Sequence, residues 1–305
     1  MPTDTYPIVS FTAARAALGV ALDADIPMLL IGSPGVGKSA LVEEVAAARK
    51  LPARVLLGST VDPTDIGGLP VPRRDGVDRL PLRLIRDCAD APGVLFLDEL
   101  SCAPPSVQAA LLRLILERCA GDVRLHVGSR VVAAANPPDQ SPGGFELSAP
   151  LTGRLTILSL VPTLDEVRGF FRDVLPGRPG TSLALAALAA DWAATSEVEA
   201  GLIQVDPPPD SVTGGAPWGA PRNWERGLRG YAAAETAGAG EEVAHALLAG
   251  AVGADQAVAY QAIRRLREYL PTADTIARDP QGAPCPPERD RQIAALGLIA
   301  RVASL

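Results

Sequence analysis

The chain has 305 residues, 48% of them hydrophobic and 21% charged, which suits about two packed domains and excludes wholesale disorder. Its net charge of −7 argues against nucleic acid as the main partner, because such binders neutralise phosphates with basic residues. No run of about 20 apolar residues is present to span a bilayer, and the N-terminus has no signal-like character, so a soluble, cytoplasmic protein is expected.

Taken in chain order, the first clear element is the apolar run Ile26 to Ile31, which predicts a buried strand. A Gly-rich turn follows, and Lys38 to Lys50 then reads as a helix. Ala53 to Leu57 predicts a second strand and Val94 to Leu97 a third. Between the third and a fourth, Val131 to Ala135, lies a helical pattern from about Pro104 to Arg118. Its Val107, Leu111, Leu114 and Ile115 recur at helical spacing, and its prolines suit a first turn. Strands alternating with helices imply parallel pairing in an α/β sandwich, and their continuous apolar character fits burial on both faces.

From about residue 163 the pattern turns helical: Thr163 to Leu175, Ser182 to Ser196, Arg222 to Ala237, Glu241 to Leu270 and a final helix from Arg289 to Ser304. Val205 to Pro221 and Pro271 to Pro287, rich in Pro and Gly, read as surface loops. The expected division is residues 1–160 as an α/β domain, 161–270 as a smaller all-helical domain, and 271–305 as a linker and helix. Cys88, Cys102, Cys119 and Cys285 form no C-x-x-C pair, and with only two histidines no zinc set is expected.

The turn after the first strand reads Gly32-Ser33-Pro34-Gly35-Val36-Gly37-Lys38-Ser39, with Ala40 next. It satisfies G-x-x-x-x-G-K-[ST] and has a strand before it and a helix after it. Glycines let successive N–H groups aim at phosphate oxygens, and the positive end of the helix adds to the attraction. In that chemistry Lys38 reaches the β- and γ-phosphates of ATP, and the Ser39 hydroxyl ligates Mg²⁺. Asp98 and Glu99 end an apolar strand, where acids emerge beside the nucleotide crevice. Asp98 is expected to hold Mg²⁺, and Glu99 to orient and polarise the attacking water. Asn136 ends another strand and is expected to bond that water or the γ-phosphate; a turn-forming Asn before Pro137 is the bland alternative.

Together these residues resemble the AAA+ superfamily: Gly32 to Ser39 its Walker A, Leu95 to Glu99 its Walker B, Asn136 its sensor 1. The segment Val61-Asp-Pro-Thr-Asp-Ile-Gly-Gly-Leu-Pro70 resembles the MoxR-type branch, as does Asn136-Pro137 after an Ala-rich strand. Ala149-Pro-Leu-Thr-Gly-Arg154 resembles that branch's stretch ending in Asp-Arg-Phe, with Gly153 and Leu155 in place of the usual neighbours. Ala220-Pro221-Arg222 resembles its sensor 2, with Ala in the serine position. The resemblance implies a three-layer P-loop fold with a helical lid, and a homo-oligomeric ring, most often a hexamer. It further implies Arg154 as an arginine finger on the neighbour's ATP and Arg222 as a nucleotide contact in cis. It also implies a chaperone-like action on a protein client, with a von Willebrand factor A-type partner.

Two more segments are candidates for partner contact: Gly68 to Asp87, which carries Arg73, Arg74, Arg79, Arg83 and Arg86, and a hairpin expected over Gly121 to Gly128. Trp218 and Trp224 flank Arg222, where packing of the lid is favoured over adenine stacking. Three other readings compete. A nucleic-acid-associated motor has only those arginines in its favour. A scaffold that binds ATP without turnover is opposed by the presence of Glu99, Asn136 and Arg154. A small-molecule kinase lacks an acceptor signature.

Overall fold

A computed structural model of the chain describes residues 6–267 together with 278 and 279. The expected terminal helix, Arg289 to Ser304, and nearly all of the expected loop from Pro271 to Pro287 lie outside these residues, as does Cys285. The chain divides into two compact units between Thr163 and Leu164.

The first unit contains, in order, β1 (Ile8–Val9), α1 (Phe11–Asp23), β2 (Met28–Ile31), α2 (Lys38–Ala48), β3 (Ala53–Leu57), α3 (Pro63–Gly67), β4 (Leu69–Arg73), β5 (Gly76–Leu80) and α4 (Arg83–Asp90). It continues with β6 (Val94–Asp98), α5 (Pro105–Glu117), β7 (Cys119–Ala120), β8 (Val123–Arg124), β9 (Arg130–Ala135), α6 (Ala149–Thr152) and β10 (Thr156–Leu160). Six strands form one parallel sheet in the order β1-β10-β2-β9-β6-β3. β2 is therefore flanked by β9 on one side and by the last strand, β10, on the other. The chain reverses its direction of winding at β2, the place where an open α/β sheet forms a crevice beyond its strand ends.

Strand alternation sorts the core into two layers. Leu29, Leu56, Leu95, Leu97, Val131 and Ala133 point to one face and pack with Ile66, Ile85, Val107, Leu111 and Leu114 from α3, α4 and α5. Met28, Leu30, Phe96, Val132 and Ala134 are buried on the opposite face, against which α2 packs with Leu41, Val42 and Val45. β2, β6 and β9 are thus apolar along their length apart from Arg130, which opens β9, and Asp98, which ends β6.

Three local expectations need correction. The sheet gains β1 and β10, which the short polar-interrupted segments around Ile8 and Thr156 conceal. The hairpin expected over Gly121 to Gly128 lies earlier, with Cys119 paired to Arg124 and Ala120 to Val123; Gly121, at φ 55°, turns the chain. Residues 69–80, read only as an arginine-bearing segment, form an antiparallel ribbon of β4 and β5.

The second unit contains α7 (Leu164–Gly169), α8 (Leu183–Val198), α9 (Pro209–Gly214), α10 (Pro221–Thr236), α11 (Glu241–Val252) and α12 (Ala254–Arg267). Among its described residues there is no strand. Phe170–Val174 continues α7 as a π-helical turn and Leu175–Gly177 as a 3₁₀ turn, in place of one continuous helix. The helix expected from Glu241 to Leu270 is broken at Gly253, whose φ of 96° an L side chain resists. A short helix, α9, interrupts the loop expected from Val205 to Pro221. The core is a file of rings: Phe171 to Trp192 at 4.1 Å, Trp192 to Trp224 at 5.4 Å, Trp224 to Tyr260 at 5.6 Å. Trp224 Nε1 donates to the Leu202 carbonyl at 2.7 Å, so its one polar atom is satisfied inside. Tyr260 donates to Asp191 at 2.9 Å, and burial with that carboxylate raises its hydroxyl well above the ordinary tyrosine pKa. Among the described residues no helix is long and apolar enough to cross a membrane.

Candidate functional site

The turn at residues 32–39 leaves the C-terminal end of β2 and enters α2. Gly35 and Gly37 take φ values of 82° and 102°, a region that favours glycine, and this curls the backbone back on itself. Gly32 is confined differently: a Cβ there would lie 2.8 Å from the Leu160 carbonyl oxygen, so only glycine fits between β2 and β10. Val36 is buried and anchors the turn, while Ser33, Pro34 and Ala40 complete its walls. The first turn of α2 directs N–H groups that have no helical acceptor toward the same concavity.

Lys38 is 8% exposed. Its Nζ donates to the carbonyls of Gly32 at 2.6 Å and Ser33 at 3.1 Å, and to Asn136 Oδ1 at 2.8 Å. Asn136 reaches it from the end of β9, the strand beside β2. From the first turn of α2, Ser39 Oγ donates to Asp98 Oδ2 at 2.7 Å. Asp98 ends β6, and its other oxygen accepts from the Glu99 N–H at 2.8 Å. The chain-distant residues Lys38 and Asn136, and likewise Ser39 and Asp98, are therefore in direct contact.

Glu99 adopts a left-handed backbone, φ 54° and ψ 39°, which is uncommon for a residue other than glycine and a mark of locally stored strain. Its exposed carboxylate accepts a hydrogen bond from Ser59 Oγ at 2.5 Å. Sequence reasoning missed Ser59. The available signal was its place: two residues beyond β3, whose Leu57 pairs with Asp98. Nearby, burial pushes the Cys102 thiol up and the Glu99 charge adds to that, so the sulfur is kept as a thiol.

Of the two predicted arginines, one lies in each unit. Arg154 follows α6; its guanidinium donates to the Pro150 carbonyl, and its buried Nε has no partner among the described residues. Arg222 is exposed in the first turn of α10, in the second unit.

The residues present fit a nucleotide and a divalent cation. The turn offers backbone donors around a cationic amine, and a hydroxyl faces a carboxylate oxygen beside it. These are the donor types that phosphate oxygens and a hard cation such as Mg²⁺ take.

Residues 27–155 match the family described as AAA domain, dynein-related subfamily. This stretch is accordingly an AAA domain, a P-loop nucleotide-binding module. No curated protein matches the chain. Among solved structures, the chain is similar to the RuvB Holliday junction branch migration motor of Thermotoga maritima, at 18% identity and a TM-score of 0.45, covering 96% of this chain and 84% of that one. It is also similar to NtrX of Brucella abortus in complex with ADP, at 15% identity and a TM-score of 0.46, covering 96% of this chain and 64% of that one.

Proposed function

We propose, taking the AAA domain of residues 27–155 as the premise, that this chain is an Mg²⁺-dependent ATP hydrolase of the MoxR-type branch that remodels or activates a protein client. The observation that carries this reading is the convergence of Lys38, Ser39, Asp98 and Asn136 where β2, β6 and β9 end. Lys38 Nζ rests on two carbonyls and an amide oxygen, acceptors that phosphate oxygens replace when ATP enters. Ser39 and Asp98 would hold a divalent cation, which would supply charge neutralisation to the phosphates. Glu99 orients and polarises the attacking water. Asn136 bonds that water or the γ-phosphate, and through Lys38 it senses which is present.

Arg154 acts in this reading on the ATP of a neighbouring subunit in a hexameric ring, where a planar guanidinium matches the charge spreading over the γ-oxygens. Arg222 contacts the nucleotide in cis from the helical unit. The partner is a von Willebrand factor A-type protein, and the compartment is the cytoplasm. The acidic balance of the chain favours a protein client over nucleic acid. Of the arginines offered for a nucleic-acid motor, Arg73 is already paired with Asp78 at 2.8 Å across the β4–β5 ribbon.

The test uses Glu99→Gln, which retains ATP binding while turnover falls by about 10² or more, the usual worth of a positioned base. Proteins retained on this variant in ATP, added back to the wild type, raise its Mg²⁺-dependent ATPase rate, and duplex or single-stranded DNA does not. Stimulation by DNA alone would transfer the chain to the class of nucleic-acid motors, and undiminished turnover in Glu99→Gln would remove that residue from its role.

A further inference from the structure

Gln108 is a primary amide in the apolar face of α5, 1% exposed, between Val107 and Leu111 in the main core. A buried amide is tolerated only when its donors and acceptor are satisfied. Here all are used. Nε2 donates to the Ala103 carbonyl at 3.0 Å and to the Glu146 carbonyl at 3.1 Å, and Oε1 accepts from the Ser148 N–H at 2.9 Å.

These bonds tie together two segments that no strand pairing joins. Ala103 ends the 3₁₀ turn that begins at Glu99: the Cys102 N–H donates to the Glu99 carbonyl at 2.8 Å, and the Ala103 N–H to the Leu100 carbonyl at 3.2 Å. Ser148 precedes α6, and its carbonyl accepts from Leu151 N at 2.9 Å and Thr152 N at 3.0 Å. The Leu151 carbonyl in turn accepts from Arg154 N at 3.1 Å. Leu151, fully buried, pins α6 to the same core that holds Gln108. A path of hydrogen bonds and the short chain links between them therefore runs from the backbone of Glu99, through the Gln108 side chain, to the backbone of Arg154.

We propose that Gln108 is a positioning residue: it fixes α6 against the turn after Glu99 and so sets where Arg154 is presented. The proposal rests on the reading of Arg154 as a group that completes a neighbour's site. A finger acting on another chain receives no correction from its own nucleotide, so its aim has to be built into its own subunit. An error of about 1 Å in such a group costs about 10²-fold in rate.

The experiment mixes full-length chains. Gln108→Met keeps volume and removes all three bonds. Alone, it retains wild-type ATP affinity, and its kcat falls about tenfold or more. Mixed with an excess of Glu99→Gln, whose own site is inactive but whose Arg154 is intact, Gln108→Met sites regain most of the wild-type rate, as do Arg154→Ala sites in the parallel mixture. A role confined to folding gives no such rescue. If Gln108→Met does not fold, Ser148→Pro removes the N–H that Oε1 accepts at a residue whose φ of −62° suits proline, and the same mixture is made with it. Rescue of Arg154→Ala without rescue of the Gln108 or Ser148 variant overturns the positioning role alone. Rescue of neither overturns the trans reading of Arg154 and this inference with it. Full activity of Gln108→Met alone also overturns it.

Discussion

The residues around Lys38 and the two arginines, Arg154 and Arg222, were read from the sequence by the same kind of pattern, yet the fold treats them differently. Lys38 touches Asn136, and Ser39 touches Asp98, across 98 and 59 residues of chain. Parallel pairing of β2, β9 and β6 brings them together, because each residue sits where its strand ends or at the turn just beyond. Arg154 makes no such contact among the described residues and leans on the carbonyl of Pro150, and Arg222 is exposed on its own unit. In the proposed reading, the difference separates what one folded chain assembles by itself from what awaits a nucleotide or another subunit. A sheet can bring strand ends together without help, whereas a group that serves a partner's site leaves no contact in its own.

The largest expected effect that tests this comparison is at Arg154. Arg154→Ala should lower kcat by about 10³ or more, the measured worth of such a guanidinium elsewhere, with ATP affinity little changed. Steady-state turnover together with nucleotide titration checks it. A variant that loses affinity and keeps kcat would put Arg154 among the binding groups of its own chain. A smaller effect is expected at Arg222. Arg222→Ala should weaken ATP binding by about tenfold, the loss of one charge-assisted contact, measurable by equilibrium titration. Unchanged affinity would leave Arg222 as a surface residue of α10.

Much of the α/β unit was legible because its central strands are short, apolar throughout and end in polar residues. Ala53–Leu57 and the helix after Pro104 were placed almost to the residue. β1 was hidden because two residues carry no period, and β10 because Thr156 and Ser159 interrupt its apolar run. The β4–β5 ribbon was hidden because Pro70 and Pro72 argue against a strand; they are tolerated because in a two-stranded ribbon β4 is an edge strand. In the helical unit, the helical pattern over 241–270 runs unbroken through Gly253, whose positive φ divides α11 from α12. The Gly-rich turn and the acids after β6 were legible because their chemistry imposes a spacing. Ser59 and Gln108 were not, since a serine after a strand or a glutamine in an amphipathic helix has no distinguishing pattern. Their significance comes from tertiary neighbours: Glu99 for one, Ala103, Glu146 and Ser148 for the other.

The most direct test of the central claim, that the turn at residues 32–39 with Lys38 cradles a triphosphate, is calorimetric titration of ATP with Mg²⁺ into the wild type and into Lys38→Ala. Removing the amine should cost at least about 10² in affinity, the worth of charge-assisted bonds to phosphate, while the melting profile of the protein stays cooperative. Equal binding of ATP by the two proteins would contradict the account.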